Sequence, residues 1–185
     1  MSKKNKGITK ILVLGLDNSG KTSIILNSFK KDLNLLSYLS LKPTTGIDIT
    51  DMEDETRKMA IWDFGGQEKY RKEHLEKLPT HIANTNKVIF VLDIQDQKRY
   101  DKSLEYFKDI EEIIKENNII PELNLYLHKF DPTLEKTHPE ITKESVEKLS
   151  KKFREVAPQN IHFSIFKTSI FTFFKKTTFW NSEMS

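Results

Sequence analysis

Residues 15–22 read GLDNSGKT, directly behind the apolar run ITKILVL at 8–14. The spacing is G-x-x-x-x-G-K-[ST], a pattern with a mechanism. Glycine gives up more chain entropy on folding than any other residue, so a fixed pair must serve a purpose. A loop turning tightly between a strand and a helix aims successive backbone N–H groups, here those of Asp17, Asn18, Ser19, Gly20 and on to Ser23, at one point. The positive end of the helix dipole reinforces that point, which makes it an anion cradle. Gly15 and Gly20 permit the turn, Lys21 brings a positive charge to the β and γ phosphates of a nucleotide, and Thr22 offers a hydroxyl to Mg²⁺. A chance glycine-rich turn is the competing reading, but the strand before and the helix after are the context the motif requires.

Four further stretches carry polar residues at the ends of apolar runs. IWDFGGQ places Asp63 where a magnesium-holding carboxylate belongs. Gly66 could present its N–H to a γ-phosphate, and Gln67 could orient an attacking water. The expected catalytic set is therefore Gln67, Lys21 and Gly66, and the expected metal set Thr22, Thr44 and Asp63. KPTTG (42–46) puts Thr44 in reach of the same ion; alone it also reads as a turn before a β-branched strand start. HKFD (128–131) ends an apolar run with a carboxylate, Asp131, that can accept from both the N1–H and the exocyclic amine of guanine. Adenine presents neither arrangement and would leave Asp131 unpaired. Lys129 would lay its stem over the base; a surface Lys and an Asp opening a turn before Pro132 are the plainer reading. KTSI (167–170) adds Thr168, Ser169 and Ile170, whose N–H groups could meet the guanine oxygen.

Something must hold these stretches together. β-rich runs at 8–15, 44–50, 57–64, 87–94, 123–130 and 161–166 alternate with helical patterns. Leu104, Phe107, Ile110 and Ile114 recur at helical spacing, as do Val146, Leu149, Phe153 and Val156. Near-continuous apolar runs indicate strands covered on both faces. Only DMEDETRK (51–58) is too short for a crossover helix, so its flanking runs should pair antiparallel. The fold class is α/β: a six-stranded, mostly parallel sheet with one antiparallel strand and helices on both faces. One domain over 8–185 is expected, after a polar, basic tail at 1–7.

The chain has 185 residues, 37% hydrophobic and 31% charged, a formal net charge of +3 and no cysteine. Near-balanced charge argues against a nucleic-acid partner. Without cysteine there are no disulfides, thiolate nucleophiles or cysteine-rich zinc sites. Prenyl and palmitoyl anchors are excluded, and Ser2 is the wrong residue for N-myristoylation. A cytoplasmic setting is expected, with peripheral membrane contact open but without lipidation. The closing stretch SIFTFFKKTTFWNSEMS (169–185) reads as a helix packing its aromatics on the sheet, or as a surface offering aromatics beside lysines to a membrane or partner.

These five motifs, in this order, resemble the Ras-superfamily small GTPases over about residues 8–181. GLDNSGKT and KPTTG are similar to Arf; IWDFGGQ, LHKFD and FKTSI are similar to the Rag GTPases, in which His replaces the usual Asn before Lys. The resemblance implies a P-loop NTPase G domain that binds GTP or GDP with Mg²⁺, switches between two states and hydrolyses GTP slowly. It implies effectors, an exchange factor and a GTPase-activating protein, in membrane-traffic or nutrient-type signalling. Segments around 37–48 and 64–78 would relax on hydrolysis. A non-hydrolysing GTP-bound scaffold is the alternative, and an ATP-using kinase a more distant one. Heterotrimeric α subunits carry a catalytic Arg three positions before the switch Thr; here that position is Leu41, so unaided turnover of order 10⁻⁴ per second is expected. Neither a Rag-type dimerisation domain nor an Arf-type amphipathic N-terminal helix is expected.

Overall fold

The computed structural model describes residues 7–29, 41–53 and 58–170. The expectations for the tail before residue 7 and for the aromatic stretch after Ile170 lie outside these residues. Among the described residues the strands are β1 (Ile8–Leu14), β2 (Ile47–Glu53), β3 (Lys58–Phe64), β4 (Lys87–Asp93), β5 (Glu122–His128) and β6 (Phe163–Lys167). The helices are α1 (Lys21–Phe29), α2 (Glu68–His81), α3 (Tyr100–Glu116), α4 (Leu134–Thr137) and α5 (Lys143–Val156), with a 3₁₀ turn at Gln97–Arg99. The sheet order is β2-β3-β1-β4-β5-β6. Only the β2–β3 pair is antiparallel, as the short connector requires.

Alternation along the central strands divides the core in two. Leu12 and Leu14 of β1, Val88, Phe90 and Leu92 of β4, and Leu123, Leu125 and Leu127 of β5 point to one face. There they meet Tyr106, Phe107, Ile110 and Ile114 of α3 and Val146, Leu149 and Phe153 of α5. Ile11, Val13, Ile61 and Val91 point the other way, onto Ile25 of α1. Helices therefore lie on both faces, and several of the strands between them read as nearly continuous apolar runs.

The boundaries shift where local chemistry outweighs pattern. The second strand starts at Ile47, because Gly46 adopts φ 75° and leaves Thr44–Gly46 as loop. Its far end runs to Glu53, pairing Glu53 with Lys58 through a 3.2 Å ion pair. The charged residues of 51–53 belong to an edge strand facing water, not to the connector. The sixth strand runs over 163–167 instead of 161–166. The fifth ends at His128, since Lys129 turns to φ 60°. Helix α2 has no apolar stripe to announce it: it buries only His74 and Leu78 and carries Pro79. No helix among the described residues is long and apolar enough to cross a membrane.

Phe153 is fully buried, with ring centroids 5.1 Å from Phe107 and 6.2 Å from Phe90. Phe153→Ala should lower unfolding stability by about 3–5 kcal/mol in urea denaturation. Lys152→Ala, which removes an exposed 3.5 Å ion pair to Asp101, should change it by less than about 1 kcal/mol.

Candidate functional site

The carboxyl ends of β1 and β3 and the start of α1 meet around one cavity of about 350 Å³. Asp17, Asn18, Gly20, Lys21, Thr22 and Ser23 line it from the loop, Leu41–Thr44 from the segment before β2, and Gly66 and Gln67 from the segment after β3. The loop turns through three positive φ angles, at Gly15, Asn18 and Gly20. Asn is among the few side chains that tolerate this region. A side chain at Gly20 would collide with the ring of His128, so glycine here is a close-approach residue as well as a turn residue.

Lys21 is buried, and its Nζ donates to the carbonyls of Gly15 (3.1 Å) and Leu16 (2.8 Å). Burial pushes its ammonium down to about 8, against the restoring attraction of Asp63 and Asp17. Opposite it, Asp63 Oδ2 accepts from Thr22 Oγ1 at 2.5 Å and from Thr44 Oγ1 at 3.1 Å, and the two hydroxyls are 3.0 Å apart. Asp63 Oδ1 is buried without a partner. Burial raises the Asp63 carboxyl; the Thr22 hydroxyl and the Lys21 charge oppose the shift. The three residues expected to share a metal thus converge, two hydroxyls and one carboxylate, with an unused buried oxygen. This hard-oxygen set fits Mg²⁺, which takes one or two carboxylates and completes its shell with phosphate oxygens and water. No cluster of three or more His, Asp or Glu suited to a self-contained metal site occurs among the described residues.

The segment after β3 packs directly on the loop. Asp17 N–H donates to Gly66 O at 3.0 Å, and Gly65 N–H donates to Gly46 O at 2.8 Å. Any side chain at Gly66 would strike the Leu16–Asp17 peptide. Gln67 is half-buried at the N-cap of α2, with no capping bond from its side chain, so its carboxamide is uncommitted on the cavity wall.

The base-motif residues form a second group. His128 is 2% exposed and its Nδ1 is 2.9 Å from Thr168 Oγ1. Burial, then the charge of Lys129, lowers its pKa to about 4, so the ring is neutral at pH 7. It packs on Gly20 with Nε2 unpartnered. Asp131 Oδ1 accepts from Ser169 Oγ. His128, Thr168, Ser169 and Ile170 line a cavity of about 180 Å³ beside Ile24 and Tyr126. Lys129 and Asp131 line neither this cavity nor the larger one. Ser19 is buried with an unpartnered hydroxyl, beside a small recess under the loop.

Sequence reasoning missed three residues here. Arg99 donates to Asp17 Oδ1 (2.8 Å) and Asp17 O (3.2 Å) while its Nε donates to Asp96 Oδ2 (2.5 Å). Asp93 holds Lys129 Nζ at 2.6 Å. His74, buried on α2 between Phe64 and Tyr70, reaches the Gly65 backbone. Asp93 had a signal, since it closes β4 much as Asp63 lies one residue before the end of β3. Arg99 had none, because its partner lies 82 positions away.

A strand, a phosphate-type loop and a helix N-terminus at the carboxyl edge of a sheet ordered β2-β3-β1-β4-β5-β6 define a P-loop NTPase G domain. The solved Arl6 BBS3 small GTPase from Trypanosoma brucei with bound nucleotide analogue GppNp is similar in fold, with a TM-score of 0.65 at 23% identity, over 97% of this chain and 100% of that one. The family model described as the Gtr1/RagA G protein conserved region matches residues 10–176. The chain belongs to that family, as an Arf/Rag-type member of the Ras-superfamily small GTPases. It is also similar to ADP-ribosylation factor-like protein 5 of Caenorhabditis elegans, 39% identical over 90 residues, 49% of this chain and 46% of that protein. ADP-ribosylation factor-like protein 3 of Chlamydomonas reinhardtii is 35% identical over 101 residues, 55% and 52% respectively. The chain spans about half the length of these curated relatives.

Lys21 also makes a measurable claim on stability. Its native pKa lies below the ordinary 10.5, so between pH 8 and 10.5 the unfolded chain binds the extra proton and native stability rises with pH. In nucleotide-free protein, the stability of wild type relative to Lys21→Met should climb by about 3 kcal/mol across that window. Parallel urea titrations at stepped pH check this; a constant difference would mean that Lys21 is not held against its charge.

Proposed function

We propose that this chain is a GTP/GDP switch that binds guanine nucleotide with Mg²⁺ and hydrolyses GTP slowly. The observation that carries the reading is the convergence of Lys21, Thr22, Thr44 and Asp63 on one cavity at the sheet edge. Lys21 exchanges two loop carbonyls for phosphate oxygens, which restores a full partner to its buried charge. Thr22 and Thr44, through their hydroxyl oxygens, and Asp63, through its carboxylate, are the residues that would hold the ion. The ion, when bound, offsets charge on the β and γ oxygens. Gln67 orients the attacking water from the cavity wall, and the Gly66 amide meets the γ-phosphate once its carbonyl releases Asp17. Loss of the γ-phosphate removes the partner of Thr44 and Gly66, so the segments they anchor relax. Asp131 reads the base, with Lys129 along its face and Thr168–Ile170 beside it. Effectors, an exchange factor and an activating protein are the partner classes that fit such a switch; trafficking or nutrient signalling at a membrane periphery fits the resemblance.

Competition of labelled GDP by GTP, ATP and XTP tests the base assignment. GTP should compete and ATP should not, and Asp131→Asn should shift the GTP-to-XTP preference by about 100-fold or more, because xanthine presents a carbonyl where guanine presents a donor. Single-turnover hydrolysis tests the chemistry: slow in wild type, and slower by about 10- to 100-fold in Gln67→Leu. Fast hydrolysis indifferent to Gln67 would overturn the mechanism, and GTP surviving long incubation with Mg²⁺ would favour a locked scaffold.

A further inference from the structure

The turn that follows β4 reaches across to the base motif and grips it. Gln95 is half-buried there. Its N–H donates to Asp93 Oδ1 at 2.9 Å. Its carboxamide Nε2 donates to the carbonyl of Lys129 at 2.8 Å and to Asp131 Oδ2 at 3.1 Å. A primary amide has two N–H donors, so both are used on the base motif. Asp93, the strand's last residue, takes the Lys129 ammonium on its other oxygen.

We propose that Gln95 is a specificity-determining residue of the base site: its carboxamide fixes the carboxylate of Asp131 and so sets how well a base with two donors is told from a base with one. The inference rests on the guanine reading above. Asp131 is held from two sides, by Gln95 on Oδ2 and by Ser169 on Oδ1. A carboxylate has about four acceptor positions, so each oxygen keeps capacity for one base donor while its plane is fixed from outside. A fixed plane meets N1–H and the 2-amino group of guanine together. Hypoxanthine, which lacks the 2-amino group, leaves one oxygen facing nothing, and an unmet acceptor is penalised only if it cannot turn away. A carboxylate freed of Gln95 can rotate and recover. The same amide also supports the left-handed Lys129 at φ 60°, a conformation that a non-glycine residue holds only with local support.

The test uses the full chain and two diphosphates, GDP and IDP, with GMP as a monophosphate control, dissociation constants being measured by fluorescence competition in Mg²⁺ buffer. In Gln95→Ala the IDP-to-GDP ratio of dissociation constants should fall by about threefold or more, with the GDP-to-GMP ratio unchanged. Gln95→Glu should weaken GDP further, because it sets a second carboxylate beside Asp131. Each ratio is internal to one variant, so lower thermal stability does not obscure it. Equal weakening of GDP and IDP, or no change in either, would overturn the assignment. Wild-type protein that binds neither would overturn the guanine reading itself, a separate outcome.

Discussion

A buried ammonium with nothing but backbone carbonyls to hold it is the constraint around which this molecule is organised. Lys21 sits at the start of α1, where the helix dipole is positive and an extra cation is unwelcome. Its two carbonyl partners lie in the same loop, so the loop must keep its tight, partly left-handed path to supply them. Asp63 and Asp17 lend charge from two directions without a hydrogen bond or ion pair to the ammonium. An anion entering the cavity would relieve all of this at once. Preorganisation of that kind places the unfavourable electrostatics in the free protein and lets the ligand collect the relief.

The loop is not free to relax by itself, because neighbouring segments hold it. Arg99 clamps Asp17 by side chain and carbonyl and is itself fixed on Asp96. From the other side the Asp17 amide is spent on Gly66. The same peptide that needs an inward N–H for a phosphate is therefore bonded to the segment that would sense the γ-phosphate. The two uses exclude each other, so release of this bond would supply the second arrangement that a population-shift account of the proposed switch requires.

The sheet was legible because its central strands are buried on both faces and its one antiparallel pair has a connector too short for a helix. The polar residues at strand ends were legible because a buried strand must finish at its chemistry; Asp63, His128 and Thr168 all lie there. What escaped was either amphipathic in the wrong way or distant in sequence. α2 turns mostly charged residues to solvent and buries a histidine, so periodicity could not find it. The edge-strand residues Asp51 and Glu53 carry the composition of a turn while pairing in register with Ala60 and Lys58. Arg99 and Gln95 act on partners far along the chain, and no local pattern encodes such a reach.

His128 joins the two halves of the site. Its ring rests on Gly20 of the loop, and its Nδ1 meets Thr168 beyond β6. Because burial keeps the ring neutral, one nitrogen can accept while the other donates, and the tautomer is set by which role Thr168 takes. Asn in that place would offer an amide of similar reach but smaller volume. The imidazole fills the gap against Gly20 by shape, and that contact leaves no room for a larger residue at position 20. The glycine of the phosphate loop and the histidine of the base motif are thus one packing decision made at two points of the sequence.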